Sequence, residues 1–101
     1  MKILDIERII TQHYHIPADQ ITIMSLAGDA STRNYFRICL NDNSEYAKVI
    51  FMDLSDSPDD TGIFYLNIHD LLNENGIPTP DILNHDKNHR WFVLEDLGDT
   101  T

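Results

Sequence analysis

An α+β fold built on one five-stranded antiparallel sheet follows from three observations in the 101-residue sequence. Apolar residues recur at helical spacing in two places, near the N-terminus and again past the middle. Between those places three strand-like runs succeed one another with only turn residues separating them, and two more follow the second helix. Helix, three strands, helix and two strands, in that order, predict a single sheet with its helices packed against one side.

The first helix is expected over residues 3 to 14, where Ile3, Ile6, Ile10 and His13 fall on one stripe with Leu4 and Ile9 beside them, and Pro17 ends it. Residues 21 to 26 (ITIMSL) are apolar and β-branched. They run into Gly28-Asp29-Ala30-Ser31-Thr32, a turn-forming cluster, so strand gives way to loop there. Tyr35, Phe36, Ile38 and Leu40 form the second strand, residues 41 to 44 the turn, and residues 46 to 52 the third strand, which completes a meander. The segment 53 to 60 is a loop whose last acids can cap the second helix. Phe64, Ile68, Leu71 and Leu72 give that helix its apolar face before Asn75-Gly76 stops it. Beyond Pro78 and Pro80, residues 81 to 83 and 90 to 94 flank a polar turn from His85 to His89 and make a second hairpin. No repeat or interdomain linker divides the chain, so residues 1 to 101 read as one domain.

The composition is that of an ordinary globular domain, 42% hydrophobic with four Gly and four Pro. A chain of this size buries roughly 65% of its unfolded surface, so a packed core of modest stability is expected. No run reaches the roughly 18 apolar residues of a membrane span. Asp5, Glu7 and Arg8 stand where a signal peptide would be apolar, which predicts a cytoplasmic protein. A formal charge of −10 excludes nucleic acid and anionic membranes as partners, both of which reward a basic face. It also repels a nucleotide at long range, so a nucleotide site would need locally placed cations and a metal ion. Cys39 stands alone, so no internal disulfide forms, and it reads as a small core residue.

Few residues carry candidate chemistry. The loop of residues 26 to 33 joins two antiparallel strands, where its hydroxyls and backbone N–H groups either cover the phosphates of a nucleotide or simply turn the chain. Neither a Walker sequence nor GxGxxG is present. Lys48, in the middle of the third strand, either faces solvent or leans over that loop and pairs with the α- and β-phosphates. Arg33 and Arg37, four apart, either add positive potential there or are ordinary surface arginines. Asp53, Asp56, Asp59 and Asp60 lack the alternate spacing and central glycine of a calcium loop and read as a solvated connection. His13 with His15, and His85 with His89, have ligand-like spacing but no third ligand, so no metal site is expected in this chain.

Leu26-Ala27-Gly28-Asp29-Ala30-Ser31-Thr32-Arg33-Asn34-Tyr35-Phe36-Arg37 resembles the L-x-G-D-A-S-x-R-x-Y-F-R signature of one branch of the aminoglycoside phosphotransferase superfamily. Gly76-Ile77-Pro78-Thr79-Pro80 is similar to that family's G-I-x-x-P, and Leu94-Glu95-Asp96-Leu97-Gly98-Asp99 to its L-E-D-L-G-D. The three stretches occur in family order over residues 26 to 99, and the most similar branch contains bacterial kinases for the anomeric hydroxyl of cell-wall amino sugars, N-acetylmuramate and N-acetylglucosamine. After the third strand this chain has Met52-Asp53-Leu54-Ser55 where the branch has Met-Asp-Ala-Pro-Pro.

The resemblance implies a protein-kinase-like N-lobe with an αC-like helix and an additional N-terminal helix. It implies that Gly28, Asp29, Ala30, Ser31, Thr32, Arg33 and Lys48 orient ATP, and that Glu95, Asp96 and Leu97 form a hinge whose backbone meets the adenine edge. Ile50 and Val93 would line the adenine pocket. The catalytic Asp and the Mg²⁺ ligands would belong to a C-terminal lobe absent from these residues, so the 101 residues alone are expected to be inactive. The complete enzyme would transfer the γ-phosphoryl group of ATP to a hydroxyl of a small-molecule acceptor such as an amino sugar. The alternative is a noncatalytic interaction or nucleotide-sensing module of the same shape.

Overall fold

The computed structural model describes residues 1–26, 33–40 and 48–96. Helix α1 (Ile3–Tyr14) and a single 3₁₀ turn (Ala18–Gln20) precede strands β1 (Ile21–Ser25), β2 (Asn34–Leu40) and β3 (Lys48–Asp53). Helix α2 (Thr61–Glu74) then leads to β4 (Ile82–His85) and β5 (Trp91–Glu95). The five strands form one sheet in the order β1-β2-β3-β5-β4, antiparallel at every pairing. The expected α+β class and five-stranded antiparallel sheet are therefore what the chain forms. Among the described residues no helix is long and apolar enough to cross a membrane.

The helices do not share a side of the sheet, which corrects the expected arrangement. Successive strand residues point to opposite faces. Phe36, Ile38, Leu40, Val49, Phe51, Trp91 and Val93 cluster with Ile6 and Ile10 of α1. Met52, Phe92 and Leu94, from the other face, cluster with Tyr65 and Leu66 of α2. Both faces of β3 and β5 are apolar, so each needs its own cover, and one helix goes to each side.

Helix α2 is also rotated from its expected orientation. Phe64, Ile68 and Leu71, assigned to its buried face, are 59%, 56% and 57% exposed. Gly62, Tyr65, Leu66 and His69 face the sheet instead. Two contacts set this rotation. Gly62 lies so close to the carbonyl of His89 that a Cβ there would overlap it, and the Tyr65 ring meets Phe92 edge-on at 5.1 Å. Gly76 closes the helix with φ of 73°, its N–H bonding Asn73 O at 3.0 Å while Ile77 N–H bonds Leu72 O at 2.9 Å, a Schellman cap.

The acidic loop after β3 is held by Arg90, whose guanidinium donates to Ser55 O at 2.7 Å and Ser57 O at 3.1 Å. Asp53 is buried, accepting from Ser55 N–H at 2.8 Å, with Oδ2 3.1 Å from the Met1 ammonium as an ion pair rather than a well-directed hydrogen bond.

Candidate functional site

Strand register fixes where each candidate stands. Arg33 immediately precedes β2, whose first residue, Asn34, pairs with Asp53 at the end of β3. Lys48 opens β3, opposite Cys39 at the other end of β2. Five residues of extended chain separate Lys48 from Asp53, a span of roughly 17 Å. Lys48 is exposed at the end of the pairing away from Arg33, and residues 28 to 32 of the loop it was expected to lean over lie outside the described residues. In an antiparallel meander the first residue of β3 lies beside the end of β2, whereas the β1–β2 loop lies at its start. Cys39 is half-buried on the side facing away from α1, rather than part of the core.

Lys48 instead neighbours the exit of β5, where Val49 pairs with Glu95. Ile50 and Leu94 are cross-strand partners there, both on the α2 side. Val93 is buried on the α1 side, so it and Ile50 do not line one pocket. Arg37 Nε donates to Asp96 Oδ2 at 2.9 Å across β3, with both side chains largely buried, at 14% and 6% exposure. Glu95 N–H donates to Asp81 O at 2.9 Å, and Asp81 N–H to Glu95 Oε1 at 3.3 Å. The Asp96 carboxylate and the Glu95 N–H are thus engaged within the protein. Gly28, Asp29, Ala30, Ser31, Thr32 and Leu97 lie outside the described residues.

Beside Arg33 the α2 side opens into a cleft of about 320 Å³ lined by Arg33, Tyr65, Ile68, His69, Leu72, Thr79 and Pro80. Burial pushes the Tyr65 phenol above its usual range; Tyr35 adds to the rise and the Arg33 guanidinium opposes it. The back of the cleft is a closed network. His69 Nε2–H donates to Pro80 O at 2.7 Å, Asn73 Nδ2 donates to His69 Nδ1 at 3.1 Å, and Thr79 Oγ1 donates to Asn73 Oδ1 at 2.9 Å. This assigns the Nε2–H tautomer and gives His69 a structural role, tying α2 to the segment before β4.

Neither the cleft nor the Arg37–Asp96 pair was legible in the sequence. The available signal was the i,i+4 pair His69 and Asn73, on the side of the helix away from Phe64, Ile68 and Leu71. His85 and His89 stack at 5.3 Å, and His13 meets Trp91 edge-on at 5.4 Å while its Nδ1 lies 2.9 Å from Asn84 Nδ2. Among the described residues no group of three or more His, Cys, Asp or Glu gathers to hold a metal ion.

No protein-family model matches the chain, and no characterised protein and no solved structure matches it significantly.

Proposed function

We propose that the chain is the nucleotide-binding lobe of an ATP-dependent phosphotransferase that, in its complete two-lobe form, transfers the γ-phosphoryl group of ATP to a hydroxyl of a small molecule such as an amino sugar. One observation carries the reading: two of the three segments with phosphotransferase-like sequence adjoin opposite ends of one strip of the sheet. The 28-to-33 loop enters it at Arg33, and the chain leaves it at Glu95 and Asp96, with Ile50 and Leu94 side by side near that exit. The order of meander, helix and hairpin is compatible with a kinase-type small lobe.

An extended ligand suits such a strip. Adenine would rest on Ile50 and Leu94 near the β5 exit, and the phosphates would run toward Arg33 and the loop. Lys48 then serves the base and ribose end, and Arg33 is the described cation at the triphosphate end. Catalysis would come from positioning and charge stabilisation, and Mg²⁺ would be held by acids of the second lobe. The second reading, a noncatalytic interaction module, is favoured by one observation, the exposed apolar side of α2.

Titration with Mg²⁺-ATP and with adenosine, followed by amide chemical shifts, tests the proposal. Shifts are expected at Ile50, Leu94, Asp96 and Arg33. Arg33→Ala weakens ATP binding by about tenfold while sparing adenosine, the size of one lost charge-assisted contact. Lys48→Ala weakens both ligands alike. Shifts confined to the α1 side, or none with millimolar ATP, overturn the assignment.

A further inference from the structure

Helix α2 carries apolar side chains on two opposite sides, and a globular-domain helix normally buries only one such side. Its inner side meets the sheet through Tyr65 and Leu66. Its outer side carries Phe64, Ile68 and Leu71 at i, i+4 and i+7, each more than half exposed, with Ile63 and Ile77 extending the patch. The 320 Å³ cleft opens along one flank of this stripe, and Ile68 belongs to both. At 100° per residue, Asp60 and Glu74 fall along the stripe's other flank, and both are exposed, as is Asp70 farther round. Helix α2 contains no Lys or Arg. Arg33 lies at the cleft, and the Arg90 guanidinium is engaged with the 55-to-59 loop.

We infer that this side of α2 is a docking site for a basic amphipathic helix of a partner protein. The helix would lay an apolar face along Phe64, Ile68 and Leu71, insert one bulky anchor between Ile68, Leu72 and Pro80, and bring its Lys or Arg residues beside Asp60 and Glu74. Charge selects this occupant. A second copy brings another −10 to an acidic rim, and an anionic bilayer is repelled in the same way. A straight apolar stripe of two helical turns, with a pocket beside it, matches the i, i+3/i+4, i+7 anchors of a helix laid in a groove. The inference does not depend on nucleotide binding.

The probes are two synthetic amphipathic peptides with identical Leu and Phe anchors, one flanked by Lys and one by Glu, with binding read by fluorescence anisotropy. The Lys-flanked peptide is expected to bind about tenfold or more tighter, with affinity that falls as salt rises. Ile68→Asp and Leu71→Asp, at exposed positions where an unchanged melting temperature reports an intact fold, each weaken that binding by about tenfold or more. Equal affinity for both peptides, or no binding of the Lys-flanked one at roughly 1 mM, overturns the inference. So does a dimer in sedimentation velocity that Ile68→Asp abolishes, which makes a second copy the occupant, or co-sedimentation with phosphatidylserine vesicles.

Discussion

The two sides of the sheet are closed to different degrees. Under α1, Ile6 and Ile10 are fully buried and join eight buried residues from the sheet and the α1–β1 connection in one cluster. Under α2, four buried residues, Met52, Leu54, Phe92 and Leu94, form the core, and the helix itself buries only Gly62 and His69. The α1 side is a closed apolar core, with the Asp53–Met1 ion pair at its edge. The α2 side gathers Arg33, Arg37, Lys48, Asp96, the cleft and the exposed apolar stripe.

The sharpest way to break this contrast is a pair of phenylalanine truncations. Phe51, fully buried and stacked on Trp91 at 5.5 Å, is expected to cost about 3–5 kcal/mol on Phe51→Ala, because the cavity cannot collapse between sheet and helix. Phe64→Ala, on the outer side of α2, is expected to stay within about 0.5 kcal/mol. Urea denaturation of both variants reads the difference. A Phe64→Ala cost comparable with that of Phe51→Ala means that α2 is buried in solution and that the asymmetry is wrong.

Gly62→Ala probes how α2 is seated. A Cβ at this position meets the His89 backbone, which is itself in a left-handed conformation at φ 59° and has little freedom to retreat. A loss of about 1–3 kcal/mol is expected from overpacking. Gly62→Ala that melts at the unmodified temperature shows that the first turn of α2 can lift from the β4–β5 turn at no cost, leaving the helix less anchored than its contacts indicate.

The order and type of all seven helices and strands were legible in the sequence, because each carries a local apolar pattern and polar or turn-forming stretches separate them. Which way α2 turns was not. With Phe64, Ile68 and Leu71 on one side and Tyr65, Leu66 and His69 on the other, apolar periodicity offers two answers, and the decision came from tertiary contacts of Gly62 and Tyr65. The helix placement failed for a related reason. The residues of β3 and β5 are apolar on both faces, a pattern that asks for cover on each side and not for two helices on one. Where Lys48 stands relative to Arg33 is set by the β2–β3 register, which pairs it with Cys39 and which a strand pattern alone does not show.

The smallest expected effect separates the two sides by their tyrosines. Burial raises the phenol of Tyr14, on α1, and that of Tyr65, on α2, above the usual value of 10.0. A folded-state value above the unfolded one means that the native state holds its proton longer, so the stabilisation is complete below about pH 10 and is lost as pH climbs through the raised values. Tyr14→Phe and Tyr65→Phe should therefore each flatten the alkaline decline of the denaturation midpoint without altering its slope near neutrality. On the α1 side burial raises Tyr14, whereas Arg33 counteracts the rise at Tyr65, so Arg33→Ala should steepen the alkaline decline and Tyr65→Phe should cancel that change. If Arg33→Ala steepens it equally with and without the Tyr65 hydroxyl, then the guanidinium does not face Tyr65 across the cleft, and the α2 side loses the electrostatic coupling that distinguishes it from the sealed one.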